Sequence, residues 1–396
     1  MSKPRVLIAG AGIGGIVAAL ALLQRGFDVS LYEQAPELHE LGAGVAIMPN
    51  GSRLLIRLGL EPALDAIASV PRTREMRLFD TGESWPMPGS MDAAVRFGSP
   101  FWLVHRGDLH HRLATALEQR SPGAIHVGAR CVGFEQDAHG VDMLLETGEK
   151  VRGDALIGAD GVHSRVRREL FGEGRATFTG FMAWRAVIPM VRLPAHLRRE
   201  TFTVWLGPRG QIVTYPLRRG ELLNIAATVE RSDLRVEGWS EAGTVDECRR
   251  DFPGWHENVR AMLDAVDIPY KWALLGRPPL QHCSVGRITL LGDACHPTLP
   301  TLGQGANMAI EDAVVLARCL DTYAHVPEAF RRYEVARLDR TSRIVLNALE
   351  GAARIRNPEL ADPDRARSFM DRTFGPGASS ARLEWLFEYD AGATLI

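Results

Sequence analysis

The 396-residue sequence has little that would tie it to nucleic acid, to a membrane or to an oxidising compartment. It lacks charge of one sign: 46 Lys and Arg stand against 48 Asp and Glu, a net charge of −2. That excludes the basic surface that nucleic acid or an anionic bilayer would require. The pairs Arg198-Arg199, Arg218-Arg219 and Arg331-Arg332 read as solvated surface. Cysteine is scarce: the 5 residues are odd in number and form no C-x-x-C, so neither a disulfide framework nor a zinc site is expected, and no metal. A reducing, cytoplasmic setting follows as the expectation. Cys295, inside a motif, reads as a small buried residue. Internal repeats and low-complexity tracts are missing. Long apolar runs are missing too, apart from residues 6–23. That run contains four glycines and is followed at once by a strand-like segment, which makes it a poor membrane span.

The same run reads well as strand, turn and helix. Arg5-Val-Leu-Ile-Ala9 is rich in β-formers. Gly10-Ala-Gly12-Ile-Gly14-Gly15 supplies G-x-G-x-x-G, and an apolar helix follows. In such a turn Gly10 permits the tight bend, Gly12 lets the backbone approach a pyrophosphate, and Gly15 lets helix and strand pack closely. Val29-Ser-Leu-Tyr-Glu33 is the next strand. Glu33 lies 18 residues beyond Gly15, the spacing of a carboxylate that binds ribose hydroxyls. Far along the chain, Thr289-Leu290-Leu291 forms a short buried strand closed by Gly292-Asp293. A Pro- and Gly-rich loop follows through Pro300, Gly303 and Gly305, and a long helical pattern opens at Ala306. Strand, acid, stiff loop and helix start suit a polar cofactor facing a helix dipole.

Length favours two interleaved domains. A glycine-rich turn at 41–45 precedes a helix at 51–58. Asp108 reads as the N-cap of a helix at 109–119. Residues 125–127, 131–136, 141–146 and 150–152 resemble one small meander, and Asp154-Ala-Leu-Ile-Gly158 is a buried strand. From 178 to 228 the chain alternates and is rich in Val, Thr, Trp and Tyr, an antiparallel sheet suited to walling a small-molecule pocket. Helix returns at 244–266, and the tail after 357 is irregular with short helical pieces.

Three fragments together carry a resemblance. They are Gly10–Gly15 with Glu33, Asp160-Gly161-Val-His-Ser164-Arg-Val-Arg167, and Gly292-Asp293 with Pro300 and Gly303-Gln-Gly305. Over about residues 1–350 the chain resembles the single-component FAD-dependent aromatic hydroxylases, the para-hydroxybenzoate hydroxylase-like family, and within it salicylate and 3-hydroxybenzoate hydroxylases. The fold implied is α/β (α+β): a Rossmann-like FAD-binding domain (1–72, 101–172, 276–350), an inserted antiparallel-sheet substrate domain (73–100, 173–275), long C-terminal helices and a tail (351–396). The resemblance implies that Gly10, Gly12 and Gly15 hold the FAD pyrophosphate and Glu33 the adenosine ribose. Arg106 would contact the FAD chain, Val132 the adenine through its backbone, and Asp293 a ribityl hydroxyl. Asp160 and Arg167 belong to the D-G motif that serves FAD and the nicotinamide cofactor. Pro300 would sit beside the isoalloxazine, with Gly303, Gly305 and Ala306 leading a helix amino terminus toward it.

The implied activity is monooxygenation. NADH or NADPH reduces FAD, O2 forms a flavin C4a-hydroperoxide, and a small hydroxylated benzoate- or pyridine-type acid is hydroxylated, with or without loss of its carboxylate. Such relatives often carry a histidine four residues before the tyrosine of a Tyr-Pro-Leu segment. Here that position is Gln211, ahead of Tyr215-Pro216-Leu217. Glutamine accepts a hydrogen bond but takes no proton at neutral pH, so either another group activates the ring or the substrate is activated differently. Tyr215 reads equally as a donor to substrate or as a packed strand aromatic. Arg185 reads as a partner for a substrate carboxylate or for the nicotinamide cofactor. His296 reads as structural. Two rival readings remain: a monooxygenase or epoxidase of a larger metabolite, and a non-catalytic flavin-binding redox sensor. Both monomer and homodimer stay open.

Overall fold

A computed structural model describes residues 3–38, 43–87, 93–172, 174, 176–231, 241–375 and 381–396. Leu41 and Gly42 of the glycine-rich turn lie outside the described residues.

A six-stranded sheet forms the first layer. Its order is Ser284–Val285, Ile288–Leu290, Ala155–Gly158, Arg5–Ala9, Asp28–Tyr32 and Ile125–His126. All neighbours are parallel except the first pair. The chain leaves Arg5–Ala9 toward Asp28–Tyr32 on one side and returns as Ala155–Gly158 on the other. That reversal of strand order places a crevice at the carboxyl ends of the two central strands. The Ile13–Leu23 helix packs between this sheet and the Gly305–Thr322 helix. It is buried on almost every side, which is why residues 6–23 lack polar positions.

The second layer is an eight-stranded sheet of order Glu241–Ala242, Tyr270–Gly276, Thr177–Pro189, Leu222–Glu230, Gly210–Leu217, Thr201–Gly207, Thr73–Leu78 and Ser84–Pro86. It is antiparallel except where Thr201–Gly207 meets Thr73–Leu78. Pairing with period two gives this sheet two faces. Ala183, Arg185, Gln211, Tyr215, Phe202, Arg74 and Met76 share one face by register. Long helices Gly305–Thr322 and Val326–Ala353 close the molecule. The tail is more helical than expected. Leu360, Ala366 and Met370, the latter two on Pro363–Phe374, pack on Met76 and Leu78 of the sheet.

Three local expectations change. Asp108 is not an N-cap: the helix begins at Arg106, and Asp108 in its first turn makes two bonds to Arg218, at 2.7 and 2.8 Å. Residues 125–126 join the parallel sheet beside Asp28–Tyr32, so the meander has three strands. Residues 244–266 form two helices, Val245–Arg250 and Glu257–Asp264, split at Pro253-Gly254, where Gly254 takes a positive φ of 75°. No helix among the described residues is long and apolar enough to cross a membrane.

Candidate active site

Four adjacent parallel strands end at one crevice, and each end carries a singled-out residue. Gly10 follows Arg5–Ala9, Glu33 follows Asp28–Tyr32, Asp160 follows Ala155–Gly158, and Asp293 follows Ile288–Leu290. Gly10 has φ +105°, and a Cβ there would lie 2.4 Å from the Ala159 carbonyl oxygen. At Gly15 a Cβ would lie 2.0 Å from the Gly10 oxygen, so helix and strand can touch only without a side chain. At Gly12 the Cβ position faces open space, and no side chain caps the Ile13–Leu23 helix that starts there. Uncapped N–H groups beside open space are the elements of an anion cradle.

Glu33 folds back over this turn. One of its oxygens accepts from the Ala11 N–H at 2.8 Å and the other from the Ala35 N–H at 2.9 Å. His110, which sequence reasoning did not single out, steadies the same turn through a 2.6 Å contact between its Nε2 and the Ala11 carbonyl. Val132 falls at a register shift between Cys131 and Gly133, where a bulge takes one residue out of the ladder. Asp160 uses both oxygens within its own motif. They accept from Ser164 Oγ at 2.5 Å and from the Arg165 and Val166 N–H groups at 2.7 and 3.1 Å. Burial still holds its carboxyl above the ordinary range. Arg167 donates to the Cys295 carbonyl at 3.1 Å and so ties the D-G motif to the loop after Asp293.

Asp293 lies deep in the molecule, yet its side chain is exposed. Both hold because protein surrounds the carboxyl while the crevice keeps it accessible. Burial raises its pKa, and His296 and Arg106 oppose the rise. The loop beyond it is braced from behind. His296 bonds Asp312 at 2.6 Å, and Arg337 bonds Asp312 at 2.7 Å and Glu311 at 2.8 Å. Asn50 links Glu311 to Gln304, at 2.6 and 2.9 Å. Asn307 donates to the Gly303 and Ala46 carbonyls and accepts from the Met48 N–H, which ties the loop to the strand Gly44–Ile47 and the residue after it. Pro300 is exposed on this loop. The Gly305–Thr322 helix opens with no acid in its first turn and no side-chain cap.

The eight-stranded sheet closes on this crevice at Gly44. The Gly44 N–H donates to Asn224 Oδ1 at 2.7 Å, and its carbonyl accepts from Arg185 at 3.1 Å. A Cβ on Gly44 would lie 2.4 Å from the Tyr215 ring. Arg185 also lies over Trp272, its Nε has no partner, and burial lowers its pKa. Burial pushes the Tyr215 phenol up to about 12, against the pull of Arg185, so it stays protonated at neutral pH and has a proton to donate. Gln211 is on the same strand face, but four residues from Tyr215, about 13 Å along the strand. The two flank different parts of the face and are not brought together. Asn224, Tyr215, Phe202 and Arg74 instead form one row across four strands, and Phe202 stacks on Tyr215 at 5.5 Å. Phe202, Asn224 and Arg74 carry no sequence motif; only strand register reveals them.

A dinucleotide crevice walled by a sheet with an aromatic and cationic face defines a flavoprotein hydroxylase. The chain belongs to the FAD binding domain family, whose model matches residues 3–348, and is an FAD-dependent aromatic-ring monooxygenase. It is 40% identical to 6-hydroxynicotinate 3-monooxygenase of Pseudomonas fluorescens over 86% of this chain and 89% of that protein. It is 35% identical to 3-hydroxybenzoate 6-hydroxylase of Polaromonas naphthalenivorans (strain CJ2), covering 98% and 97%. The crystal structure of Klebsiella pneumoniae HpxO complexed with FAD and uric acid superposes with a TM-score of 0.84 at 26% identity, covering 97% and 96%.

Proposed function

We propose that the protein hydroxylates a small hydroxylated aromatic acid of the benzoate or pyridine type. The single observation behind this is the sheet face itself: one row of Tyr215, Phe202 and Arg74 abuts the crevice at Gly44, offering a hydroxyl, aromatic rims and a cation. The overall change replaces a ring C–H by C–OH. One oxygen atom of O2 enters the ring and the other leaves as water, with NADH or NADPH supplying two electrons.

Bound FAD supplies the electron transfer and oxygen activation. Gly10, Gly12 and Gly15 hold its pyrophosphate against the Ile13–Leu23 helix, Glu33 its ribose and Asp293 its ribityl chain. Val132 would offer backbone to the adenine, Arg106 would contact the FAD chain, and Asp160 would fix the neighbouring strand end. Pro300, Gly303, Gly305 and Ala306 would lead the helix amino terminus toward the ring end of the cofactor, where its dipole would favour negative charge. Tyr215 donates to the substrate's ring oxygen and orients it. Gln211 accepts a hydrogen bond at the other end of the face. The apolar wall would exclude water, which otherwise promotes loss of the activated oxygen as hydrogen peroxide.

The test is a panel of hydroxylated benzoates and hydroxypyridine acids with the FAD-loaded protein. Stimulated NADH or NADPH oxidation with a product heavier by one oxygen is the expected result. Oxidation at the same rate without any aromatic supports a redox sensor or oxidase instead.

A further inference from the structure

Arg74 occupies a position that the strand pattern reserves for an apolar side chain. On Thr73–Leu78 the buried residues are Arg74, Met76 and Leu78, and the latter two enter an apolar cluster. Arg74 itself is only 9% exposed. Its guanidinium lies 4.4 Å from the Phe101 ring centroid and 5.3 Å from that of Phe202, two rings that meet edge to face at 6.0 Å. Its Nε is enclosed without a hydrogen-bond partner, and among the described residues no carboxylate pairs with it.

The adjacent residue in sequence is an acid turned away from it. Glu75 points to the opposite face of the strand, where it holds Arg77 at 2.8 Å, Arg199 at 3.4 Å and Thr203 at 3.2 Å. A buried cation without a counter-ion is destabilising unless an anion joins it. Aromatic faces compensate only part of that and leave the guanidinium edge, with its paired N–H donors, for a planar acceptor. Burial lowers the Arg74 pKa only to about 10, so it stays charged at neutral pH. Beside it, Phe202 and Tyr215 stack on one another, and their rims run from Arg74 to the Tyr215 hydroxyl, which a Cβ on Gly44 would meet at 2.6 Å.

We infer that Arg74 is the anchor for the substrate's carboxylate and sets the enzyme's preference for aromatic acids over neutral phenols. The carboxylate pairs with the guanidinium, the ring lies against the rims of Phe202 and Tyr215, and the ring hydroxyl is directed toward Tyr215. This rests on the aromatic-acid reading above, and it adds which residue selects the acid.

The experiment compares FAD-loaded wild type, Arg74→Met and Arg74→Lys. Binding of 3-hydroxybenzoate and of its neutral counterpart 3-hydroxybenzamide is followed by calorimetry and by the change in flavin absorbance, without turnover. Wild type should favour the acid by about 10- to 100-fold, the range of a charge-assisted hydrogen-bonded pair. Arg74→Met should bind both alike, with unchanged FAD content and an equal or higher Tm without ligand. Arg74→Lys should retain part of the preference. Preserved preference in Arg74→Met, no preference in wild type, or a lowered Tm or misfolding in Arg74→Met would overturn the inference. Turnover separates the two readings. If no aromatic acid stimulates NADH oxidation while the preference is present and is lost in Arg74→Met, the hydroxylase reading fails and Arg74 stands. If acids stimulate both proteins with equal KM, Arg74 fails and the hydroxylase reading stands.

Discussion

Arg337 and Arg74 are both buried, 2% and 9% exposed, but Arg337 bonds Asp312 and Glu311 whereas Arg74 meets two aromatic rings and, among the described residues, no carboxylate. The first lies behind the cofactor loop, in a network that runs from His296 to Arg340. The second lies on the face of the large sheet that carries Phe202 and Tyr215. Where charge is neutralised inside the protein, it fixes a shape. Where it is left open, it is available to a ligand.

The largest expected effect breaks the closed network. Arg337→Met removes one partner from two buried acids and should destabilise the protein by about 3–5 kcal/mol, read by urea unfolding. The matching change on the sheet, Arg74→Met, should leave stability equal or higher, because it removes a charge that meets no carboxylate among the described residues. Equal losses in the two variants would erase the distinction. Next, Asp293→Ala should lose most bound FAD after gel filtration, as judged by flavin absorbance, while its far-UV circular dichroism stays native. Retained flavin would remove Asp293 from the cofactor site.

The closed network also predicts an acid limit. Burial alone would raise the Asp312 carboxyl, but His296 and Arg337 outweigh it and hold it at about 2. A depressed carboxylate stabilises the fold fully above its unfolded value near 4, and that contribution is lost as pH falls toward 2. Unfolding titrations across that window should show a loss of about 2 kcal/mol from this group. In Asp312→Asn the loss should be smaller. On the open side, Tyr215→Phe should keep FAD and lower kcat/KM by about 10-fold, the value of one hydrogen bond to substrate. The smallest effect is expected for Gln211→His. It should shift the ranking of substrates and leave FAD content unchanged.

The two regions also differ in how legible they are in the amino-acid sequence. The cofactor side is written in contiguous motifs. Gly10–Gly15 is a local turn, Asp160 caps its own helix through Ser164 and the following N–H groups, and Asp293 closes its own strand. Their roles depend on neighbours in sequence. The substrate side depends on partners far apart in the chain. Arg74 meets Phe202 across a parallel strand pair, and Gly44 meets Asn224 across 180 residues. No local spacing encodes those pairings. The Asp108 expectation failed for the same reason, since its partner Arg218 comes from another element 110 residues away. Residues 125–126 read as part of a meander because two residues carry too little pattern to choose between sheets.

The central claim is that the crevice and the sheet face together insert oxygen into an aromatic acid. The most direct test supplies isotopically labelled dioxygen, NADH and a stimulating hydroxybenzoate or hydroxypyridine acid to the FAD-loaded protein. The account predicts one labelled oxygen atom per product molecule, with NADH consumed in step. NADH oxidation that yields only labelled hydrogen peroxide, with every aromatic acid recovered unchanged, would contradict it.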